Sequence, residues 1–243
     1  MKPFRPLLLR CLLTVAALGA SGLLAAHAGE AEIRKNLAAQ IPQFAKIDEV
    51  RKSPVEGLYE VRINNTEIYY ADEQGTYLLQ GNLIDVQARK NLTEERVEKL
   101  SQIDFDKLPL KDAFKIVRGN GKRQLAVFED PNCGYCKQFE RDLKTVDNVT
   151  IYLFLYPVLG PDSNVKSRDI WCSKDKAKSW NDWMLTGVKP EAGSCDTAAL
   201  QRNIEFGRKY NITGTPTLIF ADGTRAPGAI PAAQVEKQLA AAN

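Results

Sequence analysis

Histidine is almost missing from this chain. One occurs in 243 residues, His27, and it falls in an N-terminal segment that reads as a removable leader. The mature chain then has no imidazole. That excludes a histidine general base and any mixed Cys/His metal site. Net charge is missing too. The leader holds Lys2, Arg5 and Arg10 and no acid, so 33 Lys and Arg less these three leaves 30, against 30 Asp and Glu. A balanced chain offers no electrostatic footprint for nucleic acid or an anionic membrane. No glycine-rich phosphate loop, internal repeat or low-complexity stretch is present.

What is present begins with the leader. After the basic start comes the apolar run "CLLTVAALGASGLLAA", ending at Ala26-His27-Ala28, a small-x-small cleavage pattern. The run is interrupted by Gly19, Ser21 and Gly22. It is short for a span and lacks a stop-transfer flank, so no stable membrane insertion is expected. Cys11 lacks the small residues that precede a lipid-modified cysteine. Cleavage after Ala28 would leave 215 of the 243 residues and four cysteines: Cys133, Cys136, Cys172 and Cys195. An even number in an exported chain suggests disulfide chemistry, and the length suits two domains.

The pattern along the chain divides accordingly. In "EAEIRKNLAAQIPQF", Ile33, Leu37 and Ile41 share a helical face, and Pro42 ends or bends the helix. "YEVRIN", "EIYYAD" and "TYLLQG" read as strands of a small antiparallel sheet, broken at Asn64-Asn65, Asp72 to Gly75 and Gly81-Asn82. No catalytic constellation lies there, so this part reads as a scaffold, binding or dimerisation module. "NLTEERVEKLSQI" predicts a helix with Thr93 as a candidate cap, and it reads as an interdomain linker. From residue 112 strands and helices alternate: "AFKIVRG" and "RQLAVFED" as strands, a helix after the cysteines, the apolar strand "VTIYLFLYPV", helical periodicity over 162–186 and 197–210, the strand "TPTLIF", and a terminal helix "AAQVEKQLAAA". That order is thioredoxin-like. The predicted boundaries are a leader at 1–28, an α+β domain at 29–91, a linker helix and hinge at 92–111, and an α/β thioredoxin-like domain with a helical insertion at 112–243.

The stretch "EDPNCGYCKQFE" carries the chemistry. Cys133 follows a strand and opens a helix, where free N–H groups and the helix dipole favour a negative sulfur. A thiol near pKa ~8.5 can fall to roughly 3.5–7.5 in such a motif. Cys136 lies one turn on, able to resolve a mixed disulfide formed at Cys133. Zinc competes for this spacing, but a structural site takes four ligands. All four cysteines would be needed, and Cys172 and Cys195 form no second Cys-x-x-Cys. In "TGTPTLIF", Pro216 at the head of a strand is a candidate cis bond; an ordinary strand-initiating proline is the plainer reading. With the cysteine pair upstream, the redox reading is preferred. A Cys172–Cys195 bridge would staple the insertion between them and contribute on the order of 3 kcal/mol on the chain-entropy model.

These residues resemble the DsbC/DsbG family of bacterial periplasmic disulfide isomerases, the DsbC branch most closely. The likeness rests on "CGYC", "IWCSKDKAKSWNDWM", the "SCD" around Cys195, "GTPTLIFADGTRAPG", and the N-terminal "SPVEGLYEVRIN" and "YLLQGNLIDV". It implies Cys133 as attacking cysteine and Cys136 as its partner, with Gly134, Tyr135, Thr215 and Pro216 facing substrate. It implies Cys172 and Cys195 as a structural disulfide, and neither metal nor cofactor. It further implies a periplasmic homodimer joined through the N-terminal domain, kept reduced by a DsbD-like membrane protein. Such a dimer would act on misfolded disulfide-containing exported proteins, with chaperone activity. Ordinary thioredoxins have a buried acid six residues before the first cysteine; here Val127 stands in that place. Glu129 and Asp130 are the nearer carboxylates. Two rival readings remain: a DsbA-like oxidase, which would not need residues 29–105, and a holdase in which the cysteines are secondary.

Overall fold

The structure, a computed structural model, describes residues 21–242, with side chains described from residue 29 onward. The expected leader over 1–28, its cleavage site and Cys11 lie outside the side chains described. The chain divides into two compact units, ending and beginning at Leu100 and Ser101.

The first unit opens with helix α1 (Ser21–Gln40), whose Ile33 and Leu37 are buried as the spacing predicts. The helix stops one residue short of Ile41. Pro42 restricts the residue before it, and Ile41 is extended (φ −131°, ψ 110°), followed by a single 3-10 turn, Pro42–Phe44. Strands β1 (Glu49–Lys52), β2 (Leu58–Ile63), β3 (Glu67–Asp72) and β4 (Leu78–Leu79) form an antiparallel sheet in sequence order. Asn64 and Asn65 turn β2 into β3 with φ of 49° and 70°, a backbone region that asparagine tolerates well. Asp72 ends β3 by accepting from the Thr76 and Tyr77 N–H groups. Strand alternation sends Tyr59, Val61 and Ile63 toward α1, where they bury with Phe44 and Tyr69.

A two-stranded ribbon, β5 (Ile84–Asp85) and β6 (Lys90–Asn91), leads into α2 (Leu92–Ser101). Thr93 does not cap this helix. Asn91 accepts from the Glu94 N–H instead. Thr93 is buried, and its hydroxyl bonds Tyr70 Oη at 2.5 Å and the Leu83 N–H at 2.8 Å. Tertiary partners claimed a side chain that the local pattern assigns to the cap. Arg96 reaches Glu60 and Glu49 from the same helix.

The second unit opens on Ile103, Phe105 and Leu108, all buried. Its sheet contains β7 (Phe114–Arg118), β8 (Arg123–Glu129), β9 (Val149–Leu155), β10 (Thr217–Phe220) and β11 (Arg225–Pro227) in the order β11-β10-β8-β9-β7. Only β8 and β9 run parallel; they are joined through α3 (Gly134–Leu143). Alternation along β8 sends Leu125 and Val127 to one core and Ala126 and Phe128 to the other. Helix α4 (Pro161–Cys172), α5 (Lys176–Asn181), α6 (Ala198–Lys209) and α7 (Ala232–Ala241) complete the unit. The single helical stretch expected over 162–186 is broken. Asp175 caps α5 by accepting from the Lys178 N–H at 2.9 Å, and a wider π-type turn at Asp182–Thr186 ends at Gly187 with φ 77°. Asp is a better cap than helix-interior residue, so the break falls before it. The architecture is the α+β unit and the α/β thioredoxin-like unit that the sequence implies.

Candidate active site

The site forms where β8 ends. Glu129 is the last strand residue, and Asp130, Pro131 and Asn132 carry the chain to Cys133, the N-cap of α3. Asp130 holds this turn. Its buried carboxylate accepts from Asn132 N–H at 2.8 Å and Ser163 Oγ at 2.7 Å, and from the Val158 and Leu159 N–H groups. Trp183 adds a second brace: its indole N–H donates to the Pro131 carbonyl at 2.6 Å. The ammonium groups of Lys137 and Lys166 lie over that ring, 4.1 and 4.8 Å from its centre.

Within this frame Cys133 is 6% exposed and Cys136 is fully buried; both are free thiols. The Cys136 N–H donates to Cys133 Sγ at 3.4 Å. Across the site, Thr215 and Pro216 are joined by a cis peptide bond. As a thiol, Cys133 donates to the Thr215 carbonyl at 3.3 Å. As a thiolate it is held by the Cys136 thiol, the Thr215 hydroxyl and the N–H groups of Cys136 and Tyr135. Together these outweigh burial and bring its pKa down to about 5. Cys136 moves the other way: burial, the Cys133 sulfur and the Glu129 charge push its thiol well up. One sulfur is stabilised as a thiolate and the other as a thiol.

Gly134 and Tyr135 occupy the exposed first turn between the cysteines; Tyr135 is 75% exposed. Thr215 is partly buried and Pro216 buried beside it. The structure thus brings Cys133, Cys136, Gly134, Tyr135, Thr215 and Pro216 into one site. Cys172 and Cys195 lie apart from it, joined in a disulfide that ties the end of α4 to a loop. A Cβ on Gly193 would meet Cys172 Cβ at 2.6 Å, so that loop approaches the bridge as only glycine allows. With these two sulfurs bonded to each other, a four-cysteine zinc site cannot assemble.

Sequence reasoning named Glu129 as one of two nearer carboxylates but left its place in the site open; the structure puts it beneath Cys136. Glu129 is fully buried, and its carboxyl lies against the Cys136 sulfur and Glu140. Burial and the Glu140 charge raise its pKa well above the usual carboxylate range. Glu140, also buried, accepts from the Trp180 indole N–H at 2.7 Å. The signal was strand alternation. Glu129 is in phase with Val127, so the acid absent from that position recurs one pleat nearer the cysteines.

Residues 110–243 match the family model described as a thioredoxin-like domain, and residues 24–94 match the disulfide bond isomerase protein N-terminal domain. Over 210 residues the chain is 47% identical to the probable thiol:disulfide interchange protein DsbC of Bordetella parapertussis, covering 86% of this chain and 74% of that protein. Identity to the thiol:disulfide interchange protein DsbC of Escherichia coli K12 is 27% over 221 residues, 88% of this chain and 89% of that one. Among solved structures, a disulfide interchange protein from Neisseria gonorrhoeae aligns with a TM-score of 0.53 and 39% identity, over 55% of this chain and 97% of that one.

Proposed function

The chain belongs to the DsbC family of thiol:disulfide interchange proteins, and from that footing we propose that it is a periplasmic disulfide isomerase whose nucleophile is Cys133. The Cys133 thiolate attacks a non-native disulfide of an exported protein. One substrate sulfur leaves and the other stays bonded to Cys133. A second substrate thiol then displaces Cys133 and leaves a new pairing. Where no such thiol arrives, Cys136 displaces the substrate instead, releasing it reduced and oxidising the pair. The observation that carries this reading is the asymmetry of the two sulfurs: Cys133 at a helix N-terminus with its thiolate stabilised, Cys136 buried and protonated.

The exposed first turn at Gly134 and Tyr135, with Thr215 and Pro216 opposite, is the surface that would receive an extended substrate segment. Cys172–Cys195 serves stability. The leader ends at Ala28 and export places the chain in the periplasm, where a DsbD-like membrane reductase keeps the pair reduced. Among the described residues no helix is long and apolar enough to cross a membrane. Two copies join through the first unit, where Tyr77 just before the edge strand β4, Leu79 in it, and Ile84 and Val86 after it are exposed. An unpaired strand edge beside exposed apolar side chains suits a second copy of the chain. The resulting dimer holds misfolded clients and acts as a chaperone.

The test is refolding of a scrambled multi-disulfide protein in a mild thiol buffer, beside Cys133→Ala. Rescue that disappears with Cys133 is the expected result. Rapid oxidation of a reduced client without rescue would replace the isomerase with an oxidase. Suppression of aggregation alone, equal in both proteins, would leave a holdase.

A further inference from the structure

Cys133 and Thr215 meet across the site from two separate segments, and each segment has its own supports. The turn before Cys133 is held by Asp130 and Trp183. Thr215 lies in the connection between α6 and β10. On the far side of Thr215, β10 pairs with β8, with Thr217 opposite Phe128. On the near side, residues 211–214 belong to no strand or helix, and their carbonyls turn to side chains. Arg225 of β11 donates to the carbonyls of Tyr210 at 2.8 Å and Asn211 at 2.6 Å. Tyr156 Oη donates to the Ile212 carbonyl at 2.9 Å. Thr217 Oγ1 donates to the Gly214 carbonyl at 2.8 Å.

Of these ties, that of Tyr156 leads back to the strand end that carries Cys133. Tyr156 stands one residue past β9, and its own N–H donates to the Glu129 carbonyl at 2.8 Å. Its ring meets that of Phe128 edge-on, with centres 5.9 Å apart. A Cβ on Gly207 would run into the Tyr156 ring, so α6 lies against the ring at a glycine. The Ile212 N–H returns to the Gly207 carbonyl at 2.7 Å. The side chain is 3% exposed and has no room to swing aside. Burial raises the pKa of its hydroxyl, which therefore stays a donor through neutral pH.

We propose that Tyr156 is a positioning residue that holds Thr215 against Cys133. Its backbone is bonded four residues before Cys133 and its hydroxyl three residues before Thr215. One stiff aromatic side chain thus spans the two segments and sets their separation. Without the hydroxyl, the near side of Thr215 is anchored through Arg225 to β11, on the opposite side of β10 from β8. The Ile212 carbonyl would also be left buried without this donor, which favours movement of the segment toward water. The proposal rests on the reading of Cys133 as nucleophile with Thr215 beside it.

The experiment measures alkylation of Cys133 by iodoacetamide in the reduced protein, with urea unfolding beside it. The proteins are the parent, Tyr156→Phe, Thr215→Val, the double variant and Gly207→Ala. Tyr156→Phe is expected to slow alkylation near pH 5 about two- to tenfold, the size of one weakened hydrogen bond to the thiolate. The double variant is expected to be no slower than Thr215→Val, because Tyr156 acts through that residue. Gly207→Ala keeps the hydroxyl but displaces the ring, and should slow alkylation in the same direction. A folded Tyr156→Phe that loses stability yet alkylates at the parent rate overturns the proposal, since its role is then structural only. Single effects that add in the double variant overturn it as well. Should Tyr156→Phe not fold, parent-rate alkylation of Gly207→Ala overturns it equally. Alkylation reads the Cys133 thiol whether or not the protein turns over. An isomerase reading that fails in refolding of a scrambled client is therefore a different result from an unmoved alkylation rate.

Discussion

The carbonyl oxygen of Thr215 lies 3.3 Å from the sulfur of Cys133, with 82 residues of chain between them. The Thr215 hydroxyl serves the same sulfur when it is ionised, together with the Cys136 thiol and the N–H groups of Tyr135 and Cys136. The two sides of this contact come from widely separated parts of the second unit.

Thr215→Val removes the hydroxyl and keeps the shape. The Cys133 pKa should rise, and alkylation by iodoacetamide near pH 5 should slow about two- to tenfold, as expected for one lost hydrogen bond. An unchanged rate would remove Thr215 from the set of thiolate donors.

Alkylation of Cys133 in the reduced protein should titrate with a midpoint of about 5. The sign of the linked stability follows. The folded pKa lies below the unfolded thiol value of about 8.5, so the unfolded chain binds more protons between the two. The contribution is fully present above the unfolded value and is lost as pH falls through about 5. Urea midpoints of the reduced protein, set against Cys133→Ala across that range, check the slope. A difference that does not vary with pH would contradict it.

Asp130→Ala strips a partner from Ser163 and from the N–H groups of Asn132, Val158 and Leu159. A buried carboxylate with this many donors should cost about 3 kcal/mol or more when removed. Denaturant unfolding measures it, and a loss under about 1 kcal/mol would show that water replaces the carboxylate.

Replacing Cys172 and Cys195 together by Ala should lower stability by about 3 kcal/mol on the loop-entropy model. Alkylation of Cys133 should keep its pH midpoint. A shifted midpoint would tie the disulfide to the active site.

Leu79→Asp places a charge on the exposed edge strand of the first unit. The proposed dimer should then dissociate, read as a halved mass by light scattering, while the Cys133 midpoint stays in place. A variant that remains dimeric would move the interface elsewhere.

Much of this molecule was legible in its sequence because the relevant physics is local. The strand-to-helix position of Cys133 follows from "LAVFED" running into a Cys-x-x-Cys helix. The Asn64-Asn65 turn and the end of α1 before Pro42 follow from the φ preferences of single residues. The even cysteine count in an exported chain suggested the Cys172–Cys195 pair, although spacing alone does not fix connectivity. The failures share a cause as well. Thr93 has the chemistry of a cap, but Tyr70 and Leu83 offered its hydroxyl buried partners. The stretch from 162 to 186 has one helical period, but Asp175 found its own N–H to accept from.

By itself the sequence determined the parts: a leader pattern, two units, a Cys-x-x-Cys pair at a helix start, and a strand whose alternation places Glu129 in phase with Val127. Only the tertiary structure decided what those parts face. It set Thr215 beside Cys133 and joined Cys172 to Cys195. It sealed Glu129 and Glu140 under Cys136 with Trp180 behind them. Periodicity fixes which side of an element a residue occupies, whereas burial and partners depend on which distant element packs against that side.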